Sequence, residues 1–365
     1  MRVVDSHLDL AWNAVHWNRD LKRPVAETRA LERGMRGKAR GLGTVALPEM
    51  RQGNVVLCFA TVLARTSDRW REDTMLDTIV RDIAYARAQG QLAYYRLLER
   101  QGALRQIRTR RDLDAHLGAW GERGDAQPLG FVLAMEGADP ILGPDDVPEW
   151  WDDGLRALSL AHYGVSAYAH GTGTQGGLLP AARPLLRALE QVGVTLDLTH
   201  LADRAFWEAL DAFGGPIHAS HQNCRALVSG QRQMTDDQLK AVIARDGVIG
   251  VAFDSWMLYE GWVKGVTTPD VVGVAAVIDH IDRVCQLAGN ASHAALGTDL
   301  DGGFGKEQTP YDLDTIADLQ HLPAMLAARG YPPVDIAKIM HGNWIRFLQR
   351  VLTNACPAPL QREDW

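Results

Sequence analysis

The feature that most constrains the fold of this chain is its repeated alternation of short apolar runs with longer segments of helical periodicity. Eight runs, many of them rich in β-branched residues, predict strands, and apolar residues recur at three- or four-residue steps between them. The predicted strands are residues 2–4, 55–62, 130–135, 155–160, 195–199, 216–219, 248–252 and 294–297. Strands that alternate with helices form parallel sheets, so eight such units predict an α/β fold of the closed (β/α)8 type, a TIM barrel.

The length of the chain is compatible with one barrel domain. It has 365 residues, and α/β barrels routinely exceed about 250 residues as a single unit. We expect one catalytic domain over residues 1–352, in which residues 332–352 form extra C-terminal helices. Residues 353–365, with two prolines, are expected to form a tail.

Composition excludes several classes of function. The net charge of −7 provides no basic surface for binding nucleic acid. No apolar run reaches the length of a membrane span, and the N-terminus lacks the pattern of a signal peptide. The four cysteines are far apart, which argues against a disulfide framework or a cysteine-ligated zinc site. We therefore expect a cytoplasmic protein that does not bind membranes.

Residues of the types that bind metals follow six of the predicted strands, each on its carboxyl side. They are His7, Asp9, Glu136, His162, His200, His221, Asp299 and Asp301. In a barrel the carboxyl ends of all strands meet at one face, where catalytic groups gather. A single His-x-Asp pair such as the first is a weak signal, but the whole set predicts a metal site at that face.

Imidazole and carboxylate ligands suit a borderline divalent metal such as zinc. A set of this size fits two ions, because zinc ions about 3.5–4 Å apart can share a bridging carboxylate and a bridging water. Such a pair lowers the pKa of the water and polarises a carbonyl group. A nearby aspartate can pass the water proton to a leaving amine, and an imidazole can stabilise the oxyanion.

Several stretches of the chain resemble the membrane dipeptidase (renal dipeptidase) family, peptidase family M19, in its soluble microbial branch. They are VDSHLD (4–9), MEG (135–137), LSLAH (158–162), DLTH (197–200), ASH (219–221) and GTDLDG (297–302), in the order of the family. The resemblance spans nearly the whole chain. It implies an amidohydrolase-type barrel, two zinc ions per chain and a homodimer.

The resemblance also implies the metal ligands. His7 and Asp9 are expected to bind one zinc ion, and His200 and His221 to bind the other. Glu136 is expected to bridge the two ions. A carboxylate between an apolar strand and a glycine would be costly without a partner, which agrees with a metal ligand at this position.

Three residues are expected, by the same resemblance, to act on the substrate. His162 contacts the substrate carbonyl and steadies the tetrahedral intermediate, and Asp299 is the proton shuttle. Arg232 binds the free carboxylate of a dipeptide, a role that suits the guanidinium fork. Arg225 competes for that role but lies too close after His221 to match the family pattern.

Four other residues are not assigned to the centre. Asp301 is ranked below Asp299 and fits a loop position or a carboxylate behind the ligands. His170 and His218 are off the ligand pattern, and His218 is expected to be structural. The role of His341, where the family segment begins with glycine, stays open.

The leading prediction is a zinc dipeptidase that cleaves small-molecule dipeptides, including L,D-dipeptides with a C-terminal D-residue. The loops at 162–170, 178–180 and 252–256 depart from the commonest family versions, so the preferred side chains stay open. One alternative is another reaction on the same centre, either removal of an N-acyl group or opening of a lactam or lactone. A second is a non-catalytic binding protein, against which the complete ligand set and Asp299 argue.

Overall fold

The centre of the fold is a barrel of parallel strands, seen in a computed structural model that describes residues 1–67, 77–123 and 127–354. The barrel strands are β1 (Val3–Leu8), β2 (Val55–Leu63), β3 (Leu129–Glu136), β4 (Leu155–Ser159), β5 (Thr195–Asp197), β6 (Ile217–His218), β7 (Ile249–Val251) and β8 (Ala294–Leu296). Their pairing order is β7-β8-β1-β2-β3-β4-β5-β6. A parallel bridge between Ala219 and Ile249 brings β6 to β7. The predicted (β/α)8 barrel is confirmed.

Each predicted strand coincides with an observed one, but the first is longer than predicted. Its parallel pairing with β2 continues to the pair Leu8 and Ala60, so His7 lies inside β1 rather than after it. The prediction ended the strand at the apolar run, whereas backbone pairing carries it through the polar motif. Glu136 is likewise the last residue of β3.

Helices surround the barrel and complete the units. They are α1 (Leu10–Trp17), α2 (Val25–Leu31), α3 (Leu47–Gln52), α4 (Arg81–Arg100), α5 (Arg110–Arg123), α6 (Val147–Asp152), α7 (Ala182–Val192), α8 (Asp203–Ala212), α9 (Asp236–Ala244), α10 (Ala275–Ala288), α11 (Leu322–Ala328), α12 (Pro333–Ala337) and α13 (Asn343–Val351). A π-helical turn, Lys338–Gly342, joins the last two, so the predicted C-terminal helices form one continuous stretch. Three short strands were not predicted: Arg65–Thr66, Asp77–Thr78 and Leu104–Gln106.

The backbones near β1, β6, β7 and β8 approach one another closely in the barrel interior. Ser6 Oγ donates hydrogen bonds to the carbonyl oxygens of Ser220 and Leu296. A Cβ at Gly297 would lie 1.7 Å from the Ser220 oxygen, and one at Gly250 would lie 2.1 Å from it. These glycines let the backbones approach closely, and the approach brings the carboxyl ends of the strands together.

The structure bears on three further expectations. Among the helices in the described part of the chain, none is long and apolar enough to cross a membrane. Cys58, Cys224 and Cys285 are free thiols. The predicted tail, residues 353–365, lies outside the described residues from position 355 onward.

Candidate metal centre

The carboxyl face of the barrel gathers the ligand-type residues predicted from the sequence. They lie in a strand or within three residues of its end, and those brought together are His7, Asp9, Glu136, His162, His200, His221 and Asp299. Arg232 lies directly beside them, because its Nη2 donates to the backbone oxygen of His221 at 3.0 Å. The barrel thus places side chains from distant parts of the sequence in one cluster.

Four imidazoles surround one carboxylate oxygen, Glu136 Oε1. The Nε2 atoms lie at 3.2 Å for His200, 3.4 Å for His221, 3.6 Å for His7 and 3.8 Å for His162. Burial raises the pKa of Glu136, but the nearby His162 and His7 and a hydrogen bond with His200 lower it well below its usual range. Glu136 is therefore an ionised carboxylate at the middle of the cluster.

Hydroxyl groups contact His200 and His221 on the side of each ring that faces away from the centre. Thr172 Oγ1 lies 2.9 Å from His200 Nδ1 and donates to the His200 carbonyl, so it can accept the Nδ1 proton when Nε2 binds a metal. Ser220 Oγ lies 2.8 Å from His221 Nδ1 and donates to Thr199 Oγ1, so it can do the same for His221. The two Nε2 atoms lie in the centre, 3.1 Å from one another. Two nitrogens bound to one tetrahedral zinc would lie about 3.3 Å apart, given Zn–N bonds of about 2.0–2.1 Å.

The other side of the centre carries an excess of negative charge. His7 Nε2 is buried and has no hydrogen-bond partner among the described residues; it lies 3.7 Å from Asp9 Oδ1 and 3.9 Å from Asp299 Oδ1. Burial lowers the pKa of His7, but Glu136, Asp9 and Asp299 raise it to about 10. Burial and Glu136 together raise the pKa of Asp9 to about 6. Neighbouring carboxylates that oppose one another's ionisation call for a cation.

The donor set fits divalent metal ions. Three overlapping groups have ligand atoms within 4.8 Å of one another: His7, Asp9 and Glu136; His7, His221 and Asp299; and Glu136, His162 and His200. Nitrogen and carboxylate oxygen are the donors that zinc prefers when cysteine is absent. A metal bound there would take the place of the proton on His7 Nε2 and offset the charge of the carboxylates. The residues present therefore match the metal binding that the sequence predicts.

Asp299 is aimed into the centre by an unusual loop. Asp299 has a φ of +60°, in the left-handed region that non-glycine residues rarely adopt. Its backbone N–H donates to the His7 oxygen at 3.3 Å. A Cβ at Gly302 would lie 1.8 Å from Asp299 Oδ1, so the carboxylate needs a glycine there. Burial, with Glu136 and Asp9, raises the pKa of Asp299 well above its usual range.

His162 lies at the edge of the cluster. Its ring contacts the rings of Tyr163 and His200 edge to face, at centroid distances of 4.9 and 4.4 Å. Burial lowers the pKa of His162 to about 3, and Arg65 adds to the effect while Glu136 opposes it. His162 is therefore a neutral imidazole beside the centre.

The two candidate arginines differ in their partners. Arg232 is 5% exposed and donates to Gln222 Oε1 at 2.8 Å and to the His221 oxygen. Within the described residues no carboxylate lies within 4.0 Å of its guanidinium. Arg225, by contrast, makes two hydrogen bonds to Asp203, at 2.9 and 2.7 Å. A buried guanidinium without a counter-ion is suited to bind an anion from solution.

The remaining histidines flagged in the sequence lie away from the ligands. His218 is buried inside the barrel among the rings of Phe59, Trp344 and Phe347. His341 lies in the π-helical turn of the C-terminal helices. His218 thus has the structural position that its alternation within the strand predicts.

Sequence reasoning missed the residues that contact and orient the candidate site residues. Hydroxyl or guanidinium groups contact Asp9, His200, His221 and His162; they belong to Thr61, Thr172, Ser220 and Arg65. Ser220 directly precedes a ligand and lies within a motif of the resemblance. The other three have no spacing signal, because they reach the centre from different loops or strands.

Comparisons with known proteins agree with this geometry. The sequence profile of the membrane dipeptidase family, peptidase family M19, matches residues 1–362. A metallopeptidase from Rhodobacter sphaeroides, liganded with a phosphinate mimic of the dipeptide L-Ala-D-Ala, is 23% identical; the TM-score is 0.77, with 96% of this chain and 99% of that chain covered. An amidohydrolase from Pseudomonas aeruginosa is 19% identical, with a TM-score of 0.67 and 84% and 92% covered. These two structures show the shared fold.

A curated relative adds a match in sequence. An uncharacterised dipeptidase of Schizosaccharomyces pombe is 29% identical over 223 residues, which are 60% of this chain and 52% of the relative. The match thus spans about half of that relative. The profile match covers nearly all of the chain, and the two structures agree with the (β/α)8 barrel predicted from the sequence. The chain belongs to the membrane dipeptidase family, peptidase family M19, and is an enzyme that hydrolyses peptide bonds.

Proposed function

We propose that this protein is a binuclear zinc dipeptidase that hydrolyses dipeptides, including L,D-dipeptides. The observation that carries the proposal is the convergence of four imidazole Nε2 atoms on the buried Glu136 carboxylate, with Asp299 and the Arg232 guanidinium beside it. The inclusion of L,D-dipeptides is supported by the ligand of the R. sphaeroides relative, a mimic of L-Ala-D-Ala.

In this proposal the cluster is divided between two ions. His7 and Asp9 would hold one, His200 and His221 would hold the other, and Glu136 would be the ligand that the two ions share. The bound metals supply a water of near-neutral pKa and polarise the substrate carbonyl. Thr172 and Ser220 hold their histidines with Nε2 free for a metal, so the protein presents these ligands already oriented.

Asp299 and His162 act on the reacting atoms. Asp299 accepts the proton of the attacking water and passes it to the leaving amine. Burial raises the pKa of this carboxyl group above its usual range, so it holds a proton more readily than an exposed aspartate before passing it on. His162, which is neutral, donates a hydrogen bond to the carbonyl oxygen as negative charge develops on it.

Arg232 selects for dipeptides. Its guanidinium has no carboxylate partner among the described residues, and it binds the free carboxylate of the substrate. Because Arg232 also contacts the backbone of His221, the carboxylate subsite would lie directly beside the proposed metal ligands. A longer peptide has no carboxylate at that distance from its first peptide bond.

The test is a rate screen of the zinc-loaded protein on L,L- and L,D-dipeptides, their C-terminal amides, N-acyl amino acids and lactones. We expect dipeptides to be hydrolysed much faster than their amides. Arg232→Ala should remove most of that difference, whereas Arg225→Ala, which breaks the pair with Asp203, should retain it. Preferential turnover of N-acyl amino acids or lactones would assign another hydrolytic reaction, and no turnover at all would favour a binding protein.

Three expectations from the sequence stay predictions within this proposal. They are a cytoplasmic location, a homodimer, and one domain over residues 1–352 followed by a tail. Size-exclusion chromatography with light scattering would measure the oligomeric state directly.

A further inference from the structure

Arg65 contacts His162 on the side of the imidazole that faces away from the metal centre. Its Nη1 lies 2.8 Å from His162 Nδ1. A guanidinium can only donate hydrogen bonds, so Nδ1 must accept with its lone pair. In the neutral ring the proton is then on Nε2, which lies 3.8 Å from Glu136 Oε1. His162 therefore presents an N–H to the centre, whereas the Nδ1 atoms of His200 and His221 face hydroxyl groups, which can either donate or accept.

Arg65 is itself held in a fixed place. Its Nε donates to the Asp77 carboxylate, and the two residues are paired in register in the short parallel strands Arg65–Thr66 and Asp77–Thr78. The next residue, Thr66, donates its backbone N–H to Asp139 Oδ2 at 2.8 Å. Little freedom remains for the guanidinium to turn away from His162.

Asp139 also ties the loop of Arg65 to the loop of His162. Its Oδ1 accepts the backbone N–H of Ala167 at 2.8 Å, while its Oδ2 accepts that of Thr66. Asp139 is fully buried and follows β3 by three residues. The loops after β2, β3 and β4 are thus fastened to one another where the guanidinium meets the imidazole.

We propose that Arg65, aligned by Asp77, is a positioning residue that fixes His162 in the Nε2–H tautomer, so that His162 donates to the carbonyl oxygen during hydrolysis. The reading of this donor as an oxyanion contact rests on the proposed function. In the opposite tautomer His162 would turn a lone pair toward the developing negative charge. Loss of one oxyanion donor lowers kcat by about 10²–10³-fold. A mixture of tautomers lowers kcat in proportion to the fraction of His162 that lacks the Nε2 proton.

The tautomer can be observed without activity. In the zinc-loaded protein labelled with ¹⁵N-histidine, the His162 signals are identified by their loss in His162→Gln. We expect Nδ1 to have the shift of an unprotonated nitrogen and Nε2 that of a protonated one, and Arg65→Met to mix the two forms. An Nδ1–H tautomer in the wild type, or no change in Arg65→Met, would overturn the proposal. This result stands whether or not the protein proves to be a dipeptidase.

Kinetics provide the second measurement. Arg65→Met should lower kcat for a dipeptide about 10²-fold with KM nearly unchanged, and Arg65→Lys, which retains a donor, should recover part of the loss. The matched control is Arg81→Met, since Arg81 donates to the Asp139 oxygen and to Tyr168 Oη in the same loops. In a His162→Ala background Arg65→Met should have no further effect, while any effect of Arg81→Met should persist. An equal loss from Arg65→Met in both backgrounds would show that Arg65 only braces the loop.

Discussion

Asp299 and Asp301 lie two residues apart after β8, and both have a φ of +60°. Asp301 is saturated with donors: it accepts from the backbone N–H and hydroxyl of Thr44, the N–H of Val45 and the guanidinium of Arg19. No described residue donates a hydrogen bond to the Asp299 carboxylate, whose nearest charged partner is His7 Nε2 at 3.9 Å. The segment after β8 thus supplies one carboxylate that is bonded within the protein, Asp301, and one that receives no hydrogen bond from the described residues, Asp299.

The same contrast separates the two arginines near the centre, since Arg225 is paired with Asp203 and Arg232 has no carboxylate partner among the described residues. Buried polar groups are normally satisfied within the protein. Groups that are left unsatisfied at a strand end are therefore available for a metal, a proton or a substrate. The contrast also assigns Asp301, whose role the sequence left open, to holding the loop.

The largest effect is expected for Asp299→Asn. The amide cannot accept the proton of the attacking water, so kcat should fall about 10²–10⁴-fold. Stability should change little, because none of the described residues donates a hydrogen bond to this carboxylate. Zinc content should stay near that of the wild type, as measured by mass spectrometry of the metal. Unchanged turnover would remove Asp299 from the proton-shuttle role.

Asp301→Ala should show the reverse pattern. It leaves Arg19, Thr44 and Val45 without their acceptor, and breaking a buried ion pair costs about 3–5 kcal/mol of stability. Urea denaturation measures the loss. The matched control is Asp314→Ala: Asp314 is exposed and pairs with Arg29 at 3.0 Å, so its removal should cost less than about 1 kcal/mol. Equal costs for the two variants would contradict a structural role of Asp301.

Gly302→Ala tests whether the loop aims Asp299. The new methyl group would lie 1.8 Å from Asp299 Oδ1 and must push the carboxylate aside. A misplaced catalytic group costs about 10²-fold in rate. Gly143→Ala is the control, because a Cβ there meets no atom within 4 Å. Full activity of Gly302→Ala would show that the position of Asp299 tolerates displacement.

The smallest effect is a pH dependence of stability at Glu32, which contacts the same arginine, Arg19, as Asp301. Burial raises the pKa of Glu32, but hydrogen bonds from Arg19, the Gly41 N–H and Arg40 outweigh burial and lower it. A lowered folded-state pKa stabilises the protein above the unfolded value of about 4.3, and this contribution is lost as the pH falls below it. Glu32→Gln should lower the free energy of unfolding by about 1–2 kcal/mol at pH 7, and by less at acid pH. If the difference in unfolding free energy between the wild type and Glu32→Gln instead grew as the pH fell, the lowered pKa of Glu32 would be contradicted.

The sequence predicted the barrel and its cluster because both signals are local. Apolar runs mark the strands, and ligand-type residues such as Glu136 follow them within a few positions. It did not predict which polar groups are paired, since pairing depends on distant segments. Asp301 meets Thr44 across 257 positions, and Arg65 meets His162 across 97. These contacts follow from how the loops pack, which no spacing along the chain encodes.

The most direct test of the central claim is a zinc titration of metal-free protein, followed by zinc content and by the rate of L-Ala-D-Ala hydrolysis. We expect about two zinc ions per chain at saturation, since a bridging carboxylate serves two metals. We also expect turnover to depend on that zinc, and Glu136→Gln to lose both. Full turnover without added metal, or saturation without any hydrolysis, would contradict the assignment of this cluster as a binuclear dipeptidase centre.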